Sequence, residues 1–168
     1  MQNQELLEIS ICWSTAVDLD LCVFYRCADG REGGVFSDEF RCNPSDLGSL
    51  GEFPFMLHLG DMKAPQAGQC GTETVQIASP ELFERLDIVV INYADAIDLL
   101  DVDYTDREGY CRIGEQTVPS SPEGRGQAYH VATLSVNSDG SMKVETVNRV
   151  VTLREAYDSI PGFPLICE

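Results

Sequence analysis

The sequence predicts an all-β protein, a β-sandwich of two mostly antiparallel sheets with one or two short helices. Three observations lead to this class. Many short segments alternate apolar and polar residues, which is the period of a half-buried strand. Turn-forming residues separate these segments, and helical signals are few and short. The 168 residues are enough for one sizeable core, so we expect a single domain over residues 1–168.

The predicted strands follow one another along the whole chain. Residues 87–93 are apolar on both faces, which predicts a strand in the middle of a sheet. Asp139-Gly140 lies between the last two segments and supplies the positive φ of a hairpin turn. The predicted strands are 7–13, 21–26, 55–59, 74–77, 87–93, 110–113, 129–136 and 142–147.

Two helices and several loops complete this prediction. Ser79-Pro80-Glu81 offers an N-cap, a proline at the first helical position and an acid in the first turn, so we predict about two helical turns through Arg85. Thr152 and Glu155 form a capping-box pattern, which predicts a brief second helix. Residues 43–54 and 114–127 are predicted loops, and the glycines in residues 30–34 favour a turn.

Charge and cysteine content restrict the partners and the compartment. Twenty-eight acidic residues against eleven basic ones give a net charge of −17. Such a surface repels nucleic acid and anionic membranes and attracts cations and basic proteins. The first residues lack a signal peptide's basic and apolar regions, and no apolar run approaches the ~20 residues of a membrane span. Seven cysteines without a C-x-x-C pair favour a cytoplasmic protein with reduced thiols.

Acidic side chains lie at the ends of several predicted strands. Asp18 and Asp20 are two residues apart just before an apolar strand, so both side chains point to one side. Asp61 follows Gly60 after another strand, and Glu73 precedes the next. Carboxylates brought together at one end of a sandwich repel one another unless a hard cation lies between them. Ca²⁺ takes about six to eight oxygen ligands, many of them carboxylates. The sequence therefore predicts an oxygen-ligand metal site.

A second acidic segment, residues 98–108, does not form a known ion-binding motif. Asp101, Asp103 and Thr105 are spaced like the start of an EF-hand loop, but Asp106 and Arg112 replace its glycine and its glutamate. We therefore interpret this segment as a solvated acidic loop, with an ancillary cation site as the alternative. The chain also lacks the nucleophile-elbow, P-loop and dinucleotide motifs, so we predict that it is not an enzyme.

Several of these segments together follow a known pattern. The matching segments are the Trp13 strand, Asp18-Leu19-Asp20-Leu21-Cys22-Val23-Phe24, Ser37-Asp38-Glu39-Phe40, His58-Leu59-Gly60-Asp61, Glu73 before Val75-Gln76-Ile77, and Leu86-Asp87-Ile88-Val89-Val90-Ile91-Asn92-Tyr93. They resemble the TerD domain of tellurium-resistance and bacterial stress proteins. The resemblance implies a Ca²⁺-binding β-sandwich without an established catalytic activity, with Asp18, Asp20, Asp61 and Glu73 as ligands.

The metal loop departs from the family pattern, which leaves two functions open. The family's Gly-Asp-Asn is Gly60-Asp61-Met62 here, and Met62 can offer the metal only its backbone carbonyl. The run before Glu73 has also lost acidic residues, which weakens Ca²⁺ binding in principle because affinity depends on ligand charge. The first hypothesis is a Ca²⁺-binding module of a stress-response or tellurite-resistance system. The alternative is a metal-free protein–protein interaction module with a decayed calcium site, whose partners belong to the same kind of system.

Overall fold

Two six-stranded sheets confirm the predicted β-sandwich. The computed structural model describes residues 5–37 and 46–167. From edge to edge, sheet A consists of β4 (Gly48–Ser49), β5 (Met56–His58), β6 (Gly71–Ile77), β1 (Leu7–Trp13), β8 (Tyr110–Ile113) and β9 (Gln116–Pro119). Sheet B consists of β10 (Glu123–Gly124), β12 (Met142–Val151), β11 (Ala128–Val136), β7 (Phe83–Ile91), β2 (Asp20–Cys27) and β3 (Glu32–Phe36). Their described pairs are antiparallel except β10 with β12.

The main core lies between the two sheets. In β1, Ile9, Ile11 and Trp13 are buried and face sheet B, while Glu8 and Cys12 of the same strand lie on the outer side. This alternation is what a strand with one buried face requires. The sandwich thus explains why the period-2 pattern of the first segment was so regular.

A second apolar cluster covers the outer face of sheet B. Helix α2 (Leu153–Ser159) and the 3₁₀ turn Phe163–Ile166 contribute to it, and the rings of Phe24 and Phe163 lie 5.4 Å apart. Strand β7 is therefore buried on both faces, between β11 and β2. This confirms the central position predicted from its uninterrupted apolar run.

The helical predictions are right at one end of the chain and wrong in the middle. The Thr152–Glu155 capping box is confirmed, since Thr152 Oγ1 accepts from the Glu155 N–H at 3.1 Å. The predicted helix after Ser79 is wrong, because only the 3₁₀ turn Pro80–Leu82 forms. Phe83 already begins β7 and is buried, and burial in the core outweighs a local helix signal. The sequence interpretation missed helix α1 (Tyr93–Ile97), which Asn92 caps.

Three segments interpreted as loops or turns contain strands. Residues 114–127 include β9 and β10, the described part of 43–54 includes β4, and residues 30–34 overlap β3. The glycines of β3 lie against aromatic rings of β2, and a Cβ on Gly33 would come within 2.3 Å of the Tyr25 hydroxyl. Their role is close packing rather than turning.

Some features of the sequence lie outside the described residues. These are Asp38, Glu39 and Phe40, which belong to the family resemblance, and Cys42. The six cysteines within the described ranges form no disulfide with one another. Across those ranges, no helix has both the length and the apolar character that crossing a bilayer requires.

Candidate metal centre

Three of the predicted ligands converge at one end of the sandwich. Asp20 is the first residue of β2, Asp18 lies just before it, and Asp61 follows β5. One carboxylate oxygen from each lies within 4.8 Å of the other two. Asp20 is 1% exposed, Asp18 is half-buried and Asp61 is exposed. We call these residues the aspartate cluster.

Gly60 directs the chain toward this cluster. Leu59 still donates its N–H to the Thr74 carbonyl at 2.9 Å, which continues the pairing of β5 with β6. Gly60 then takes a φ of +118°, a conformation that side chains disfavour. The turn releases the chain from the sheet and brings Asp61 beside Asp18. A glycine is therefore needed at this position to build the site.

Glu73 lies outside the aspartate cluster and joins its two chain segments. It is 2% exposed, and its Oε2 accepts from the Leu21 N–H at 2.8 Å. Its Oε1 accepts from the Met62 N–H at 3.0 Å. Leu21 follows Asp20 and Met62 follows Asp61, so one buried carboxylate connects both halves of the site. Its role as a direct ligand stays a prediction, whereas these contacts make it a positioning residue.

His58 completes this connection from β5. Its Nδ1 accepts a hydrogen bond from the Gly60 N–H at 3.1 Å, so the ring proton is on Nε2. Nε2 lies 3.1 Å from the Leu21 carbonyl and 3.3 Å from Glu73 Oε2. Nε2 therefore donates to the Leu21 carbonyl, and the carboxylate of Glu73 lies beside it. The ring is 1% exposed and fixes the start of β2 against sheet A.

Met62, the fifth predicted residue, is held through its backbone and its sulfur. Its N–H donates to Glu73, and its Sδ accepts from the Thr72 N–H at 3.3 Å. These contacts attach the Asp61 loop to the start of β6. The proposed use of the Met62 carbonyl as a ligand stays a prediction.

Lys63 contacts the candidate site, and the sequence interpretation missed it. Its Nζ lies 2.7 Å from Asp61 Oδ2 and 3.5 Å from Asp18 Oδ2. The side chain is 66% exposed, so the ammonium reaches the cluster from the solvent side. The sequence contains only a weak signal for this contact, a lysine two residues after a predicted ligand. Its charge balances part of the negative charge of the three carboxylates.

The donor set fits a hard divalent cation. Two oxygens bound to one Ca²⁺ at about 2.4 Å cannot lie more than about 4.8 Å apart, and the cluster meets this limit. Carboxylates suit Ca²⁺ or Mg²⁺ rather than metals that prefer sulfur or imidazole. Three carboxylates supply only part of a Ca²⁺ shell, so water or backbone carbonyls must complete it.

The architecture and the acidic end together define a β-sandwich with a candidate cation site. A crystal structure of a homologue of telluride resistance protein (TerD) from Streptomyces coelicolor A3(2) aligns with a TM-score of 0.58 and 14% identity, covering 88% of this chain and 92% of that one. A protein of unknown function, SAV2460, aligns with a TM-score of 0.50 and 12% identity, covering 86% and 88%. No family model and no curated protein matches the chain by sequence. The chain has a divergent TerD-like fold, which confirms the predicted resemblance at the level of the fold.

Proposed function

We propose that this protein is a non-enzymatic, cytoplasmic Ca²⁺-binding module of a stress-response or tellurite-resistance system. The observation that carries the proposal is the convergence of Asp18, Asp20 and Asp61 within 4.8 Å. The TerD-like fold supports the cellular role, since one solved structure with this fold is a homologue of telluride resistance protein. The cation stabilises the acidic end of the sandwich, which then presents a surface to protein partners of the same system.

Removing the most buried carboxylate tests this proposal. We expect Asp20→Asn to abolish the stabilisation that Ca²⁺ gives the parent protein, because a ligand that binds only the folded state stabilises it by RT ln(1 + [L]/Kd). The measurement is thermal unfolding of chelator-treated protein over a Ca²⁺ titration. Mg²⁺ is titrated in parallel, because it demands a smaller and more rigid shell.

The matched control is Glu115→Gln, which removes one exposed carboxylate from the turn between β8 and β9. It removes one negative charge, as Asp20→Asn does, without touching the aspartate cluster. If Ca²⁺ raises the unfolding temperature equally in the parent and in both variants, Asp20 is not a ligand of the site. A parent protein that shows no shift at millimolar Ca²⁺ contradicts the proposal as a whole.

A metal-free interaction module is the second candidate, and Lys63 favours it. Its ammonium already contacts Asp61 and Asp18, so the cluster has a cation from its own chain. Val17, Leu59 and Met62, which flank these residues in sequence, are exposed apolar side chains. Exposed apolar residues beside a partly neutralised acidic cluster are what a protein-binding surface would offer. In this reading the ancestral calcium site has decayed.

Neutralising Lys63 distinguishes the two candidates. If Ca²⁺ competes with the ammonium, Lys63→Gln binds Ca²⁺ about 30-fold more tightly, because removing a single positive charge about 4 Å from a divalent cation in water is worth about 2 kcal/mol. Isothermal titration calorimetry at fixed ionic strength measures this change in Ca²⁺ affinity. Lys63→Arg keeps the charge and serves as the control. If the site is metal-free, Lys63→Gln binds no Ca²⁺ and only loses stability, since the carboxylates then repel one another.

A further inference from the structure

A cavity of about 120 Å³ lies between the two sheets, at the end covered by residues 98–109. Its walls are mainly apolar and include Trp13, Leu19, Val90 and Val131. These residues are at most 9% exposed. An engineered cavity of about 150 Å³ in another protein binds benzene. The space here is therefore close to the size of one aromatic ring.

Two tyrosine rings form part of the cavity wall. Tyr104 and Tyr129 have centroids 5.6 Å apart, and their hydroxyl groups are already engaged. The Tyr104 hydroxyl accepts from the Asn92 N–H at 3.0 Å and donates to the Gln127 carbonyl. The Tyr129 hydroxyl donates to Asn148 Oδ1 at 2.6 Å. The cavity thus offers a ligand the two rings rather than free hydroxyl groups.

The acidic segment that matched no sequence motif contributes the rim of this cavity. Asp101, Asp103 and Asp106 of this segment line the cavity together with Asp95 of helix α1. All four are half-buried or exposed, so they lie on its solvent side. Arg125 pairs with Asp101, its Nη2 lying 2.7 Å from Oδ2. The remaining carboxylates leave the rim negative.

Hydrogen bonds favour the charged form of two rim carboxylates, Asp103 and Asp106. The Thr105 N–H donates to Asp103 Oδ1 at 2.9 Å and lowers the pKa of that carboxyl group. Partial burial raises the pKa of Asp106, but hydrogen bonds from the Ser14 hydroxyl and N–H outweigh it, so the pKa lies below its ordinary value. An apolar cavity with an anionic opening suits a molecule with an apolar body and one positive end.

We propose that this cavity binds a small organic ammonium ion, with its apolar ring or short chain between the sheets and its ammonium group at the rim formed by Asp95, Asp103 and Asp106. The size of the cavity limits the apolar part to about one ring, and the rim selects the positive end. This site uses other carboxylates than the aspartate cluster. It shares only the 17–20 segment with it, where Leu19 faces the cavity between the two aspartates.

The chain contains a built-in reporter for this site. Trp13 is its single tryptophan, it lines the cavity, and its Nε1 donates to the Val17 carbonyl at 2.9 Å. We expect benzylamine at neutral pH to change the Trp13 fluorescence saturably and to raise the unfolding temperature. Benzyl alcohol has the same shape without the charge and should bind about fivefold more weakly, and benzoate should not bind. Raising the salt concentration should weaken the binding of benzylamine but not that of benzyl alcohol.

Two variants separate the charge of the rim from the space behind it. Asp103→Asn should weaken the binding of benzylamine about fivefold, because the rim loses one negative charge. It should leave the affinity for uncharged benzyl alcohol unchanged, since Asp103 is an exposed carboxylate outside the apolar part of the cavity. Val102→Phe should exclude both ligands, because its larger side chain fills the opening. Asp20→Asn should bind benzylamine like the parent, which separates this site from the proposed Ca²⁺ site.

The proposal is overturned if no ligand changes the fluorescence of Trp13 in the folded parent protein. It is equally overturned if benzyl alcohol or benzoate binds as well as benzylamine, since the rim then selects no charge. Unchanged benzylamine affinity in Asp103→Asn also contradicts it. The Asp103→Asn result stands even if Val102→Phe does not fold, because the two variants are tested independently.

Discussion

Replacing Glu73 by alanine is expected to destabilise the protein by about 3–5 kcal/mol and to weaken cation binding in the same variant. Glu73 is 2% exposed and accepts hydrogen bonds from the Leu21 and Met62 N–H groups. Alanine leaves both donors without this acceptor in the interior, while the Nε2–H of His58 keeps the Leu21 carbonyl. It also releases the two segments that position Asp20 and Asp61, so the aspartate cluster loses its geometry.

Urea unfolding at neutral pH measures the loss of stability, and the Ca²⁺ titration measures the loss of binding. Glu73→Gln keeps the shape, but its amide group places a donor where the carboxylate had an acceptor, so we expect a smaller loss in the same direction. Glu8→Gln is the matched control on the outer face of sheet A, where Glu8 only accepts from Gln76 at 2.7 Å. It should change stability by less than about 0.5 kcal/mol. A Glu73→Ala variant as stable as the control contradicts the positioning role.

Comparing the loss of stability with the loss of Ca²⁺ binding shows whether Glu73 positions the site or coordinates the cation directly. Asp20→Asn should remove Ca²⁺ binding with little loss of stability, because it removes a repelling charge along with a ligand. Glu73→Ala should reduce both. If Glu73→Gln abolishes Ca²⁺ binding while stability stays near that of the parent, Glu73 is a direct ligand as the sequence predicted.

The sheet pattern was predictable wherever one face of a strand is buried and the other is not. Strand β1 has the predicted bounds, because its alternation follows directly from facing the core on one side. Strand β3 was missed, since its glycines pack under Phe24 and Tyr25, and a local interpretation of glycine favours a turn. The helix after Ser79 failed for a related reason. The helix N-terminus pattern at Ser79-Pro80-Glu81 is present there, but the burial of Phe83 in the core outweighs it.

The candidate site was predictable only in part. The candidate ligands follow a local sequence pattern, whereas the residues that position them do not. Asp18, Asp20 and Asp61 lie at strand ends, and an acidic residue next to an apolar segment is a pattern visible in the sequence. The contacts of Glu73 and His58 with Leu21 join positions far apart in the chain. They depend on how the two sheets stack, which no local pattern encodes. Lys63 was missed because a lysine in an exposed loop has an ordinary explanation as a surface charge.

Replacing Asp87 by asparagine is expected to cost about 3 kcal/mol of stability at neutral pH. Asp87 is fully buried in β7, where it accepts from Arg85 Nε at 2.8 Å and Nη2 at 3.0 Å. Thr133 Oγ1 donates to it at 2.7 Å, and His130 Nε2 lies 3.0 Å from Oδ1. The amide group of asparagine cannot accept all of these donors, and Arg85 loses its counter-charge. Urea unfolding measures the difference.

The same contacts make this loss depend on pH. Burial raises the pKa of Asp87, but the hydrogen bonds from His130, Arg85 and Thr133 outweigh it, so the pKa is lower than in the unfolded chain. The carboxylate therefore stabilises the fold fully above the unfolded pKa of about 3.9, and this contribution disappears as the pH falls through the folded value. The gap between parent and Asp87→Asn should stay constant from about pH 7 to 5 and shrink below about pH 4.

Asp139→Asn provides the matched control for this pH dependence. Asp139 also has a lowered pKa, because the Ser141 hydroxyl and N–H donate to it, but it is exposed in the hairpin turn between β11 and β12. Its replacement should cost much less than that of Asp87, because solvent screens exposed contacts. If both variants lose stability equally, or if the gap for Asp87→Asn is the same at pH 3 and pH 7, the buried carboxylate does not anchor β7 to β11.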